Sequence, residues 1–237
     1  MIIEPSNGRY PALTPAGQRR AAEGSARRGR ADSFTDFSAG VRCILGFNAG
    51  HTLEVIESIE YLTNNKKNKR LEKITNELAI SALVMIKKID KNDALKKIND
   101  VVHNGKAAEK FEQMIAALGG PKNLLTSYQF DLPKASYVDQ ILSSKKGFIK
   151  SIRTRDLGLI LIELGGGRKQ INDKINFSVG YENVIDVGST VDASTPLVTV
   201  HSSSKEIFSN VKNHIQSCFK ISDDKVDRLA TIYKTIN

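Results

Sequence analysis

Gly147-Phe148-Ile149-Lys150-Ser151-Ile152-Arg153-Thr154-Arg155-Asp156-Leu157-Gly158-Leu159-Ile160-Leu161-Ile162-Glu163-Leu164-Gly165-Gly166-Gly167 runs from alternating residues into a continuous apolar stretch and halts at three glycines. The first part, 147–152, reads as a strand. Residues 155–164 are apolar enough for a short buried helix, and Gly165 to Gly167 stop it. Strand, buried helix and glycine break together make a unit of a small sheet module. Further strand or turn segments are expected at 177–181, 183–187 and 197–201, a helix at 206–219, and a short terminal element at 223–233.

Upstream of this module the period changes to that of helices. Leu53, Ile56, Ile59 and Leu62 recur at helical spacing over 50–62, while Glu54, Glu57 and Glu60 lie on another face that reads as solvated. A turn is expected at 64–68, then a helix at 71–89 with Ile74, Leu78, Ser81 and Met85 along one side. Asp93 is the expected cap of a third helix, which ends at His103. Asn104-Gly105 breaks it, and 106–118 forms a fourth with Phe111, Met114 and Ile115 inward. Helices followed by a β-rich module predict an α+β piece, the remainder of a larger α/β fold.

The 237 residues are 40% apolar and 26% charged, the balance of ordinary globular material. No apolar run reaches the length of about 18 residues that a spanning helix needs. The start has no basic stretch followed by an apolar one, so a secretory signal is not expected and a cytoplasmic protein is. The formal charge of +9 raises the question of nucleic acid, but the lysines are scattered beside Asp and Glu and aromatics are only 6%. A solvated basic surface, with no nucleic-acid and no membrane partner, is the expectation. Cys43 and Cys218 stand far apart and read as reduced thiols.

Every basic residue up to Ile44 is arginine, and lysine dominates after it. Residues 1–44, rich in Ala, Gly, Ser and Pro, read as a foreign or low-complexity leader too poor in large apolar residues to order itself. The rival reading is an arginine-rich arm for nucleic acid or an acidic partner. The remaining chain divides into helices at 45–134 and a β-rich part at 135–237.

Few residues announce chemistry. Gly165-Gly166-Gly167-Arg168-Lys169 would allow close backbone approach to a phosphate, yet it lacks the P-loop spacing and reads as a turn. His51, His103, His201 and His214 are isolated from any nucleophile pattern and read as surface or capping residues.

Three runs in order carry a resemblance: Leu45-Gly46-Phe47-Asn48-Ala49-Gly50-His51-Thr52-Leu53-Glu54-Val55-Ile56-Glu57, Asn104-Gly105-Lys106-Ala107-Ala108-Glu109-Lys110-Phe111-Glu112-Gln113-Met114, and Leu164-Gly165-Gly166-Gly167-Arg168 with Asp173 and Ser178-Val179-Gly180 after it. The chain from about Leu45 to Leu229 resembles the carboxy-terminal part of the thymidine (pyrimidine nucleoside) phosphorylases, with departures such as His51 and Thr52 where the family usually reads GNA across 50–52. The resemblance implies a pentosyltransferase reaction: thymidine and phosphate give thymine and 2-deoxyribose 1-phosphate, in a homodimer. It implies the rear helices of an α/β lobe followed, from Tyr137 to about Ser204, by a barrel-sandwich hybrid, and it gives the glycine turn a part in shaping the lobes.

The family's phosphate motif, KHSTGG, has no counterpart in this sequence, and the base-binding residues belong to the region before Leu45. No catalytic or substrate-binding residue carries over, so the chain by itself is expected to be inactive. No organic cofactor is implied. One ligand set does carry over in part: a potassium-like alkali cation held by the backbone carbonyls of Leu45 and Asn48 and the carboxylate of Glu57. Asn48 replaces the usual alanine, which leaves a carbonyl ligand intact. Two alternatives stand beside this reading: half of a split enzyme, and a carrier-like binding module. Neither Lys169 nor Lys174 has the hairpin setting of a carrier lysine.

Overall fold

The computed structural model describes residues 44–228 and 231. The expected leader up to residue 43, Cys43 and the end of the 223–233 element lie outside them. Five helices come first: α1 (His51–Leu62), α2 (Lys69–Lys87), α3 (Lys91–His103), α4 (Lys106–Ala117) and α5 (Leu124–Asp131). Among the described residues no helix is long and apolar enough to cross a membrane.

Local chemistry sets the helix limits. Asn68, expected in a turn, is the cap of α2, and its side chain accepts from the amides of Arg70 and Leu71. Asp90, not Asp93, caps α3, accepting from the amides of Asn92 and Asp93. Gly105, left-handed at φ 80°, separates α3 from α4. The expected inward stripe of α2 is corrected: Ile74 and Ile80 are buried, whereas Leu78 and Met85 are exposed. Met114 of α4, also expected inward, is half exposed at 49%. Helix α5 had no apolar period to announce it; only its Leu124 is buried.

Beyond α5 two antiparallel three-stranded sheets form. One has the order β1 (Tyr137–Leu142), β5 (Pro196–Ser202), β3 (Gly180–Glu182); the other places β2 (Gly147–Ile152) between β4 (Thr190–Val191) and β6 (Phe219–Ser222). Ile141 pairs with Val198, Tyr181 with Val200, and Ile149 with Ile221. Helix α6 (Thr154–Leu161) passes into a wider turn at Ile162–Gly166, and α7 (Lys205–Ser217) starts from Ser204, whose hydroxyl accepts from the Ile207 amide. The helix expected at 206–219 therefore stops short, and Phe219 opens β6 instead. The expected strand 177–181 shrinks to β3, and 183–187 is irregular: Val184 and Val187 are buried, and the segment's amides reach single carbonyls of Phe47 and Leu197.

The main core fills the space between these sheets, α6 and α7. Ile141, Ile149, Leu157, Ile160, Leu197 and Ile215 lie at its centre. Tyr181 is buried among them, its hydroxyl donating to the Leu157 carbonyl at 3.0 Å. Desolvation drives its pKa far above the usual phenol value.

The chain before α1 joins this module. Ala49 and Tyr181 exchange amide-to-carbonyl bonds of 2.8 and 2.7 Å across an antiparallel bridge. Two glycines permit that approach. A Cβ on Gly180 would lie 2.6 Å from the Ala49 oxygen, and one on Gly50, whose φ is 126°, would lie 2.7 Å from the Val179 oxygen.

Candidate cation site around Glu57

Glu57 sits on the second turn of α1, facing the segment 44–50 that folds back over the helix. Its Oε1 accepts from the Phe47 amide at 2.7 Å and its Oε2 from the Asn48 amide at 3.1 Å. Only glycine fits before them, because a Cβ on Gly46 would come within 2.4 Å of both carboxylate oxygens. The residue is 6% exposed. Burial pushes its carboxyl above the ordinary value, against the pull of the two amides and the Lys66 charge, while Glu54 adds to the rise. The solvated face expected for Glu54 and Glu57 is thus corrected. Glu57 is buried, and Glu54 accepts from the Gly50 amide at 2.9 Å at the entry to the helix.

The carbonyls of 44–50 divide into two groups. Those of Ile44, Phe47, Ala49 and Gly50 accept from the Arg70 guanidinium and the amides of Val184, Tyr181 and Glu54 respectively. Those of Leu45, Gly46 and Asn48 accept no hydrogen bond among the described residues. Two of these three are the carbonyls expected as ligands. Asn48 is buried at 9%, with its side-chain nitrogen donating to the Leu53 carbonyl and its oxygen accepting from the Asn183 amide, while Leu45 is 40% exposed. A buried carboxylate beside unpaired carbonyl oxygens is an all-oxygen donor set, which suits a hard cation. The residues present fit the expected group on that ground. Among the described residues no cluster of His, Cys, Asp and Glu could hold a metal ion by side chains alone.

The other residues singled out in the sequence have partners of their own. His51, at the start of α1, bonds through Nε2 to the Gly166 carbonyl at 3.0 Å and meets the edge of Phe177 at 5.1 Å between ring centres. His201 on β5 pairs with Glu182 on β3 at 3.0 Å. His103 and His214 occupy the last turns of α3 and α7. Cys218 is fully buried, its Sγ 3.3 Å from the His214 carbonyl oxygen, and desolvation raises its thiol. The glycine turn is shaped by packing: Cβ atoms on Gly166 and Gly167 would each come within 2.8 Å of Leu161 or Ile162 side chains. Asp173 accepts from the amides of Lys169 and Gln170, both at 2.9 Å, and so occupies the donors an anion would use.

Sequence reading missed the residues that tie α1 and α2 to the module. Arg70 forms a close ion pair with Asp186, and Lys66 donates to Asn183 Oδ1 at 3.1 Å. Both pairs join residues more than a hundred positions apart, so no local period could have shown them.

Part of the module is similar to a known family. Residues 148–222 match the family described as the pyrimidine nucleoside phosphorylase C-terminal domain. That part of the chain is similar to this domain. The matched segment runs from β2 through β6, so it includes α7 and the strand after it. Strand β3, inside the matched segment, is the one that Ala49 bridges, which sets the candidate cation site against that segment.

Proposed function

We propose that the chain is the carboxy-terminal part of a thymidine (pyrimidine nucleoside) phosphorylase of the cytoplasm, and that on its own it does not turn over. The match of residues 148–222 to the phosphorylase C-terminal domain carries this reading. Phosphorolysis requires phosphate and nucleoside to be held together and charge on the departing base to be stabilised. The family's substrates, phosphate and a pyrimidine nucleoside, would meet groups that this sequence does not contain, since it has no KHSTGG-like run. A phosphate-dependent thymidine cleavage assay on the purified chain tests the reading. No release of thymine is expected above a phosphate-free control; robust release would overturn the inactivity.

In this reading Leu45 and Asn48, through their carbonyls, and Glu57, through its carboxylate, hold a potassium-like cation. Such a cation supplies fixed positive charge and no redox chemistry. The protein's part is to hold 44–50 in place, which the Glu57 hydrogen bonds and the Ala49–Tyr181 bridge do. The domain's barrel-sandwich form and the family homodimer belong to the same proposal.

One observation favours a second reading, in which the rest of the catalytic lobe comes from a separate chain. Helices α2 to α5 present Ile86, Leu118 and Phe130 to solvent at 74%, 78% and 85% exposure. A lobe cut from its larger body exposes such residues. Recovery of thymidine cleavage on mixing with a chain that bears the phosphate motif would support it.

A further inference from the structure

Arg70, the second residue of α2, bonds two stretches of chain that are far apart in sequence. One arm of its guanidinium donates to the Ile44 carbonyl at 2.6 Å, and the other forms the close ion pair with Asp186. The side chain is only 17% exposed, so both charge-assisted bonds are partly shielded from water and are stronger than a surface pair. Its position is set by α2, because the Asn68 cap accepts from the Arg70 amide. Asp186 is fixed from the module: the Ile185 amide donates to the Leu197 carbonyl at 2.9 Å, and Val184 and Val187 on either side are buried. The segment 44–50 lies between these two anchors. From Phe47 onward it bonds to Glu57 and to the module. For 44–46, the bond from Arg70 to the Ile44 carbonyl is the one hydrogen bond of a backbone group among the described residues.

We infer that Arg70 is a clamp through which the closing of α2 orders the segment 44–50. While the first turn of α2 is helical, the guanidinium holds Ile44 and Asp186 together, and the loop that follows Ile44 lies on the Glu57 carboxylate. When that turn opens, the clamp leaves with it and the leading end of the segment loses its polar hold. The fork of a guanidinium suits this task, since its fixed donors reach two acceptors at once, whereas an ammonium is a single point of charge. Neither step needs a cation at Glu57. Coupling of this kind is reciprocal, so contacts that close α2 steady the loop, and a steady loop favours the closed start of α2.

Amide hydrogen exchange of the full chain, in a double-mutant cycle, reads the coupling. The reporters are the Phe47 amide on Glu57 and the Val184 amide on the Phe47 carbonyl. Arg70→Met, which keeps an apolar stem, is expected to speed both by at least about fivefold while the amides of β2 and β5 keep their rates. Arg70→Lys should speed them as well, and as the milder change it guards against a fault in the fold of the first variant. Ile80→Ala loosens α2 at a buried position of the small helical cluster and leaves Arg70 in place. With Arg70 present, it should speed the two reporters along with the amides of α2. In the Arg70→Met background it should speed α2 and add little at the reporters. Reporter rates unchanged by Arg70→Met would overturn the clamp. So would an Ile80→Ala effect on the reporters that is equal with and without Arg70, since the coupling would then run by another route.

Discussion

Glu57 shows how one side chain organises a segment without secondary structure. An acid on a helix next to Glu54 and Glu60 would ordinarily face water, and its burial costs solvation. The cost is offset because the carboxylate accepts from two successive amides, Phe47 and Asn48, that would otherwise lie in the fold without partners. Removing the acceptor leaves both amides unsatisfied. Glu57→Ala is therefore expected to destabilise the chain by about 2–4 kcal/mol, and Glu57→Gln, which keeps one acceptor oxygen, by about 1 kcal/mol. Urea unfolding at unchanged slope measures both. A Glu57→Ala midpoint indistinguishable from wild type would mean that 44–50 is held by the Ala49–Tyr181 bridge alone. The same arithmetic explains why the surroundings of the candidate site were only partly legible. The resemblance pointed to Leu45, Asn48 and Glu57, but the helical period assigned Glu57 to a solvated face. Nothing in residues 50–62 reveals that Gly46 lets the preceding loop close on the carboxylate.

Among elements, the short strand β3 connects most parts of the site, pairing with β5 on one side and Ala49 on the other. Across its β5 edge Glu182 meets His201, whose hydrogen bond, with added attraction from its charge and from Lys66, holds the Glu182 carboxyl below its ordinary value of 4.5. A lowered carboxyl binds its proton less readily folded than unfolded. Its contribution is thus present above the unfolded value and is lost as pH falls through the folded one. Urea unfolding of wild type and Glu182→Gln from pH 7 downward should show a gap that narrows below about pH 4.5. A gap constant with pH would show that the pair acts by packing and not by charge. Legibility at this scale followed side-chain period. Strand β2, the middle of β5 and helices α1 and α7 carry regular patterns, and the structure has them close to their expected limits. Residues 183–187 look like a strand because Val184 and Val187 are buried, yet that burial serves an irregular segment bonded at single points. The stripe through Leu78 and Met85 was equally regular and faces solvent, since a period shows that a helix has an apolar side but not what covers it.

Across the whole molecule the apolar interior is distributed unevenly. The module from β1 to β6 holds one large core that also takes in Ala49, whereas the second cluster, in α2 and α3, has just Ile80, Ala94 and Ile98 at its centre. Burial of apolar surface is the main favourable term in folding, so the two regions should open with different free energies. The Arg70–Asp186 ion pair and the Lys66–Asn183 bond reach from the start of α2 and the turn before it to the module, and the Asn64 side chain ties that turn to the Val102 carbonyl of α3. Bonds of that kind, partly open to water, resist separation less than a packed core does. Helices α2 to α5 should therefore unfold locally while the module from β1 to β6 stays closed. Amide hydrogen exchange at neutral pH would then find the amides of β2, β5, α6 and α7 at least about tenfold slower than those of α2 to α5, a difference of about 1.4 kcal/mol in opening free energy. Equal protection in the two regions would mean that the chain opens as one unit. The apolar side chains exposed on α4 and α5 would then be ordinary surface and not one side of a larger lobe.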